Sequence, residues 1–167
     1  MYKIKPCLTL LVVFALFSTP VMASQQAELY LWKFDEFFHG ACGRCGDLVS
    51  LKEGETKSDM SDHPLYFQTG HYSIVLKGSA TTTISFFGAC NFLTKQGFLI
   101  VTKQDNETVF IDDLEVFTPG TWIEVEAKEG VSGAYSAFYH HYPQFENNIR
   151  SVNWGRWWSD SLLTEGH

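Results

Sequence analysis

Apolar and polar positions alternate along this chain in short runs. Segments 29–34, 72–76, 81–87, 97–103, 107–111, 122–127, 133–139 and 149–154 are rich in β-branched and aromatic residues and are separated by glycine or polar punctuation. The clearest is WIEVEA at 122–127, where Ile123, Val125 and Ala127 fall on one face and Glu124 and Glu126 on the other. That period of two belongs to a strand with one side in a core and the other in water. Gln104-Asp105-Asn106 interrupts two runs and predicts a hairpin turn, and Pro119-Gly120 predicts another. No stretch carries the 3.6-residue period of an amphipathic helix. Eight short strands with tight connections predict an all-β fold, an antiparallel β-sandwich with Greek-key-like connections and little or no helix. The polar stretch KEGETKSDMSDHP between Leu51 and Gly70 predicts a long surface loop, with His63 solvated.

The first 23 residues break this pattern. Two lysines precede an apolar run from Cys7 to Phe17, followed by Ser18-Thr19-Pro20 and small residues at Val21 and Ala23. The run is too short to span a bilayer and has the layout of a secretory signal peptide cleaved after Ala23. Removing residues 1–23 leaves 144, enough for a single β-sandwich domain over 24–160 with a flexible tail at 161–167. It also removes Lys3 and Lys5, so the formal charge moves from −7 to −9. Such an acidic surface argues against nucleic acid and anionic lipid and favours basic proteins or neutral glycans. The expected location is secreted or periplasmic, with no stable membrane insertion after cleavage.

Export bears on the cysteines. Cys7 leaves with the signal, and Cys42, Cys45 and Cys90 remain in a compartment that oxidises thiols. FFHGACGRCG at 37–46 and its shorter echo FFGAC at 86–90 each put a cysteine beside a glycine after an apolar strand end. A disulfide between Cys90 and either Cys42 or Cys45 is the preferred expectation, worth roughly 4 kcal/mol for a loop of about fifty residues. Two alternatives stay open. His39, Cys42, Cys45 and Cys90 form a donor set for tetrahedral zinc, and Cys42-Gly43-Arg44-Cys45 has the spacing of a redox dithiol.

The densest chemistry lies at 137–158, where seven aromatic residues and two histidines fall within twenty-two positions. A ligand-binding patch is expected from Tyr142, Trp154, Arg156, Trp157 and Trp158, since an exposed indole stacks on a sugar ring or anchors a protein partner. Trp157 and Trp158, if in a strand, face opposite sides. The spacing of Ile149, Val152 and Trp154 does not keep a strict period of two, which implies a bulge or twist.

The same region carries a partial family resemblance. Gly133-Ala134-Tyr135, followed after nine residues by FENNIRSV at 145–152, resembles the closing half of a βγ-crystallin Greek-key motif, and Trp32 with Phe38-His39-Gly40 echoes its opening strand. The resemblance implies an antiparallel sandwich and a vestigial Ca²⁺ site at Glu146, Asn147 and Ser151, with Arg150 standing where a second hydroxyl would serve the ion better.

No Gly-x-Ser-x-Gly elbow, His-Glu-x-x-His helix or phosphate-cradling glycine loop is present. Asp112, Asp113, Glu115, Glu124 and Glu126 could supply a carboxylate pair, but their plain reading is outward strand positions. His140 and His141 are adjacent and would point to opposite faces. Asn106-Glu107-Thr108 is a glycosylation sequon. The expected function is therefore an exported, non-enzymatic binding domain that uses the C-terminal aromatics to take a protein or glycan and needs no cofactor. The alternatives are an inhibitor of a basic exported hydrolase and a small metal-dependent hydrolase built on His39 and the cysteines, with zinc or calcium as the metal.

Overall fold

The computed structural model describes residues 26–34, 49–67, 70–114 and 116–158. The expected signal peptide, His39, Cys42, Cys45, Glu115 and the tail lie outside the described residues. Nine strands are present: β1 (Glu28–Phe34), β2 (Val49–Lys52), β3 (His71–Lys77), β4 (Thr83–Phe87), β5 (Phe98–Lys103), β6 (Val109–Ile111), β7 (Trp122–Val125), β8 (Tyr135–His140) and β9 (Ser151–Trp154). They form two antiparallel sheets, β2-β1-β3-β6 and β7-β8-β5-β4-β9. Helix is confined to four single 3₁₀ turns among the described residues.

Alternation assigns the faces. Leu29 and Leu31 from β1, Val49 from β2, Tyr72, Ile74 and Leu76 from β3, and Val109 and Ile111 from β6 point inward from the first sheet. Ile84 and Phe86 of β4, Leu99 and Val101 of β5, Ala137 and Tyr139 of β8, and Val152 of β9 meet them from the second. Burying an aliphatic side chain of this size contributes about 1.5–3 kcal/mol, so this shared layer dominates the stability. Tyr72 brings a hydroxyl into it and donates to Ile149 O at 3.2 Å; burial pushes its pKa far up.

Three sequence expectations change. Val49-Ser50-Leu51-Lys52 forms an edge strand on β1 where a loop was expected to begin at Leu51. The polar stretch after it is also paired: Lys57 and Val152 exchange backbone bonds at 3.0 and 2.8 Å, and Met60 N donates to Arg150 O at 2.7 Å. This stretch shields the open edge of β9, and Met60 is fully buried. Gln104-Asp105-Asn106 does not close a hairpin, because β5 and β6 belong to different sheets. The Asp105 carboxylate accepts from Glu107 N at 3.0 Å and from Ala134 N at 2.7 Å, which turns the chain from one sheet to the other. Finally, Val152 and Trp154 pair in register with Phe86 and Ile84, so the frame of β9 is regular; Ile149 falls out of period because it precedes the strand.

Candidate functional site: the Trp154 cleft and the C-terminal strap

The C-terminal aromatics separate into distinct places. Gly155 N donates to Thr83 O at 2.9 Å, one step beyond the Trp154–Ile84 pair, and the chain then leaves the sheet. Gly155 has φ of +79°, a conformation that costs an L side chain free energy, and it turns the next residues onto the outer face of the second sheet. Trp157 is half-buried there, its ring 5.0 Å from Phe87 and 5.5 Å from Phe98, and its Nε1 donates to Ser85 Oγ at 2.7 Å. Trp158 is buried, 6.0 Å from Trp122, with the Arg156 guanidinium 5.6 Å above it. With Phe92, Ile100 and Phe138 these rings form a second apolar cluster. Trp157 and Trp158 thus lie beyond the strand and face the same sheet, serving as a strap on it. Tyr142 is exposed at the opposite end of this sheet from Trp154, since His140 pairs with Phe98 at the Phe87 end whereas Trp154 pairs with Ile84.

Trp154 lines a cleft of about 200 Å³ with Gly155, Glu53, Ser79, Thr81, Thr82 and Thr83. Its ring is half-buried and packs against the core, while its Nε1 is buried with no hydrogen-bond partner. A buried donor left unsatisfied costs about 1–3 kcal/mol. The opposite wall is the loop before β4. Thr81 N donates to Lys103 O at 2.9 Å, Lys103 N donates to Thr82 O at 2.9 Å, and Ala80 N donates to Asn106 Oδ1 at 2.9 Å. These bonds hold Thr81 at φ of +72°, a strained conformation for a β-branched residue. Thr83 Oγ1 is engaged by Thr81 O and Thr102 Oγ1, whereas the hydroxyls of Ser79, Thr81 and Thr82 make no hydrogen bond among the described residues. The Glu53 backbone donates to Ala27 O at 2.8 Å, and Ala27 N donates to Glu53 Oε2 at 3.3 Å, so both halves of Glu53 are tied to the start of β1.

Of the lining, the sequence singled out Trp154 alone. Glu53 sat in a stretch read as solvated loop, and Ser79-Ala80-Thr81-Thr82-Thr83 was partly absorbed into a strand expected from residue 81. A run of hydroxyl residues ahead of a strand whose partner ends in Trp was the available signal.

Cys90, the one cysteine among the described residues, is free and half-exposed, in a turn where Asn91 and Phe92 both have positive φ. Residues 34 and 49, which flank the segment carrying Cys42 and Cys45, lie at the same end of the sandwich: Phe34 pairs with His71, Val49 pairs with Leu31, and Lys33 Nζ reaches Tyr66 O at 3.1 Å beneath the Arg150 guanidinium. The expected disulfide from Cys90 is thus not formed among the described residues, and its expected partners Cys42 and Cys45 lie outside them.

The same end holds a buried lysine. Lys33 faces inward beside Tyr72, with its Nζ 4.8 Å from that ring, and burial holds its pKa down to about 8. The folded chain releases this proton before the unfolded chain does, so stability rises with pH from about 8 toward 10.5. After screening by nearby solvent, about 1–2 kcal/mol is expected, read as the pH-dependent difference in urea unfolding between the native chain and Lys33→Met.

Ser151 Oγ donates to Ala89 O at 2.7 Å and accepts from Phe92 N at 3.1 Å, Glu146 Oε1 accepts from Asn147 Nδ2 at 2.9 Å, and Arg150 Nε pairs with Asp59 at 3.3 Å. The Ser151 hydroxyl is therefore committed to a backbone corner. Asp112 accepts from Ser73 Oγ at 2.9 Å, and Asp113, Glu124 and Glu126 are exposed. His140 stacks on Phe98 at 5.1 Å while His141 meets Tyr139 edge-on at 6.0 Å. Among the described residues no three His, Cys, Asp or Glu side chains gather as a metal site. Compared with protein-family models, with curated proteins and with solved structures, the chain matches none.

Proposed function

We propose that this chain is an exported binding domain whose site is the Trp154 cleft and whose ligand is a glycan. The observation that carries the reading is the combination at one opening of a half-buried indole, three hydroxyls uncommitted among the described residues and a carboxylate held by one backbone amide. Sugars present an apolar ring face with hydroxyls at its edge, which is the complement of that lining. The unsatisfied Trp154 Nε1 supports it: the donor is buried without a partner, so the indole is held there at a cost to stability.

The test is a panel of oligosaccharides titrated against the protein by tryptophan fluorescence. Trp154→Ala is expected to abolish saturable binding, and Trp154→Phe to weaken it about tenfold. Binding that survives both changes contradicts the reading. A second reading, inhibition of a basic exported hydrolase, draws on the acidic charge, −7 before and −9 after the expected cleavage. It predicts capture of a basic protein that is lost in high salt, whereas stacking on Trp154 persists in high salt.

A further inference from the structure

We infer that the Trp154 cleft selects sugars carrying a free amine, with Glu53 as the group that recognises the cation; this rests on the glycan reading above. Glu53 is the single charged residue in the lining, and no Lys, Arg or His joins it there. Its carboxylate forms no ion pair among the described residues. The contact from Ala27 N occupies Oε2 at 3.3 Å, and a carboxylate has about four lone-pair sites, so acceptor capacity remains at the rim. The donor beside it is a neutral backbone amide, which leaves its negative charge uncompensated.

The chemistry of the lining sorts ligands. A uronic or sialic acid would bring its carboxylate against Glu53 in a cleft with no cation, on a protein of net negative charge. A neutral or N-acetylated sugar can stack on Trp154, bond to Ser79, Thr81 and Thr82 and donate a hydroxyl to Glu53, but it brings no opposite charge. A glucosamine unit uses every part: its ring face meets the indole, its hydroxyls meet the three open side chains, and its ammonium reaches the carboxylate. The long-range field of the acidic surface adds to the local pair and speeds encounter.

The experiment is isothermal titration with glucosamine, N-acetylglucosamine and glucose oligomers of one length, at low and high salt. The proteins are wild type, Glu53→Gln and, as a control for general acidic attraction, Glu124→Gln on the far edge strand. Wild type is expected to bind the glucosamine oligomer about five- to tenfold more tightly than the other two at low salt. Glu53→Gln should remove that preference by bringing glucosamine binding down to the level of N-acetylglucosamine binding in the same variant, while Glu124→Gln should keep the preference. Equal affinity of wild type for amine and acetylated oligomers overturns the inference and leaves the glycan reading standing. A preference that survives Glu53→Gln, or that falls equally in Glu124→Gln, also overturns it. If no oligomer gives a saturable heat, the glycan reading itself fails.

Discussion

Trp157→Ala is expected to lower the stability of the domain by about 3–4 kcal/mol and to loosen the outer face of the β7-β8-β5-β4-β9 sheet. The indole fills the space above Phe87 and Phe98, meets Trp158 edge-on at 6.0 Å, and donates a 2.7 Å bond to Ser85 Oγ, a side chain with no exposed surface. Truncating a large packed aromatic removes its transfer free energy and leaves a void, which together cost about 3–5 kcal/mol when the side chain is fully buried. Trp157 is only half-buried, which lowers the figure, but Ser85 also loses its partner, which restores part of it. A domain of this size has about 5–15 kcal/mol in all, so the change should appear as a large drop in urea midpoint with loss of near-ultraviolet aromatic ellipticity. A drop below 1 kcal/mol would mean that the strap is not seated on the sheet. Glycan binding at Trp154 should survive under native conditions, because the strap covers the opposite face.

A second large effect is expected at Gly88, the glycine of the FFGAC echo. A Cβ there would stand 2.0 Å from Gln96 O, a backbone atom, and 3.0 Å from its carbonyl carbon. No rotamer change relieves that overlap. Gly88 N donates to Gly97 O at 3.1 Å, so the contact can open only by separating the ends of β4 and β5. Overpacking commonly costs about 1–3 kcal/mol where side chains can yield, and more is expected here because backbone must move. Gly88→Ala should lose about 4 kcal/mol or fail to fold at 37 °C, measured by urea unfolding and by yield of soluble chain. An alanine variant within 1 kcal/mol of wild type would contradict the approach of these two strand ends.

The strands were legible because period two was strong wherever one face met the core, as in Trp122-Ile123-Glu124-Val125. β2 was missed because Val49-Ser50-Leu51-Lys52 is four residues long and runs directly into a polar stretch; its alternation becomes visible only against β1. The turn at Gln104-Asp105-Asn106 was found but its destination was not, since turn chemistry says that a chain reverses and not which sheet receives it. Composition located the aromatic segment and could not divide it. Trp154 and Trp157 are three residues apart, yet Gly155 sends one toward the inner layer and the other over the outer face. The rest of the cleft comes from Glu53, Ser79 and Thr81-Thr82-Thr83, distant in sequence from Trp154 and brought to it by the β4–β9 pairing on one side and by the bonds of Glu53 to Ala27 and of Lys57 to Val152 on the other.

On the proposed reading, ligand is taken at Trp154 and not on the strap. The chain has five tryptophans, so its ¹H–¹⁵N spectrum carries five indole signals, with that of Trp154 assigned by its absence in Trp154→Phe. Titration with a glucosamine oligomer is predicted to move the Trp154 signal saturably while the Trp157 signal, held by Ser85, stays in place. A Trp154 signal that does not move while those of Trp122, Trp157 or Trp158 do would contradict the account and place the binding surface on the outer face of the sheet.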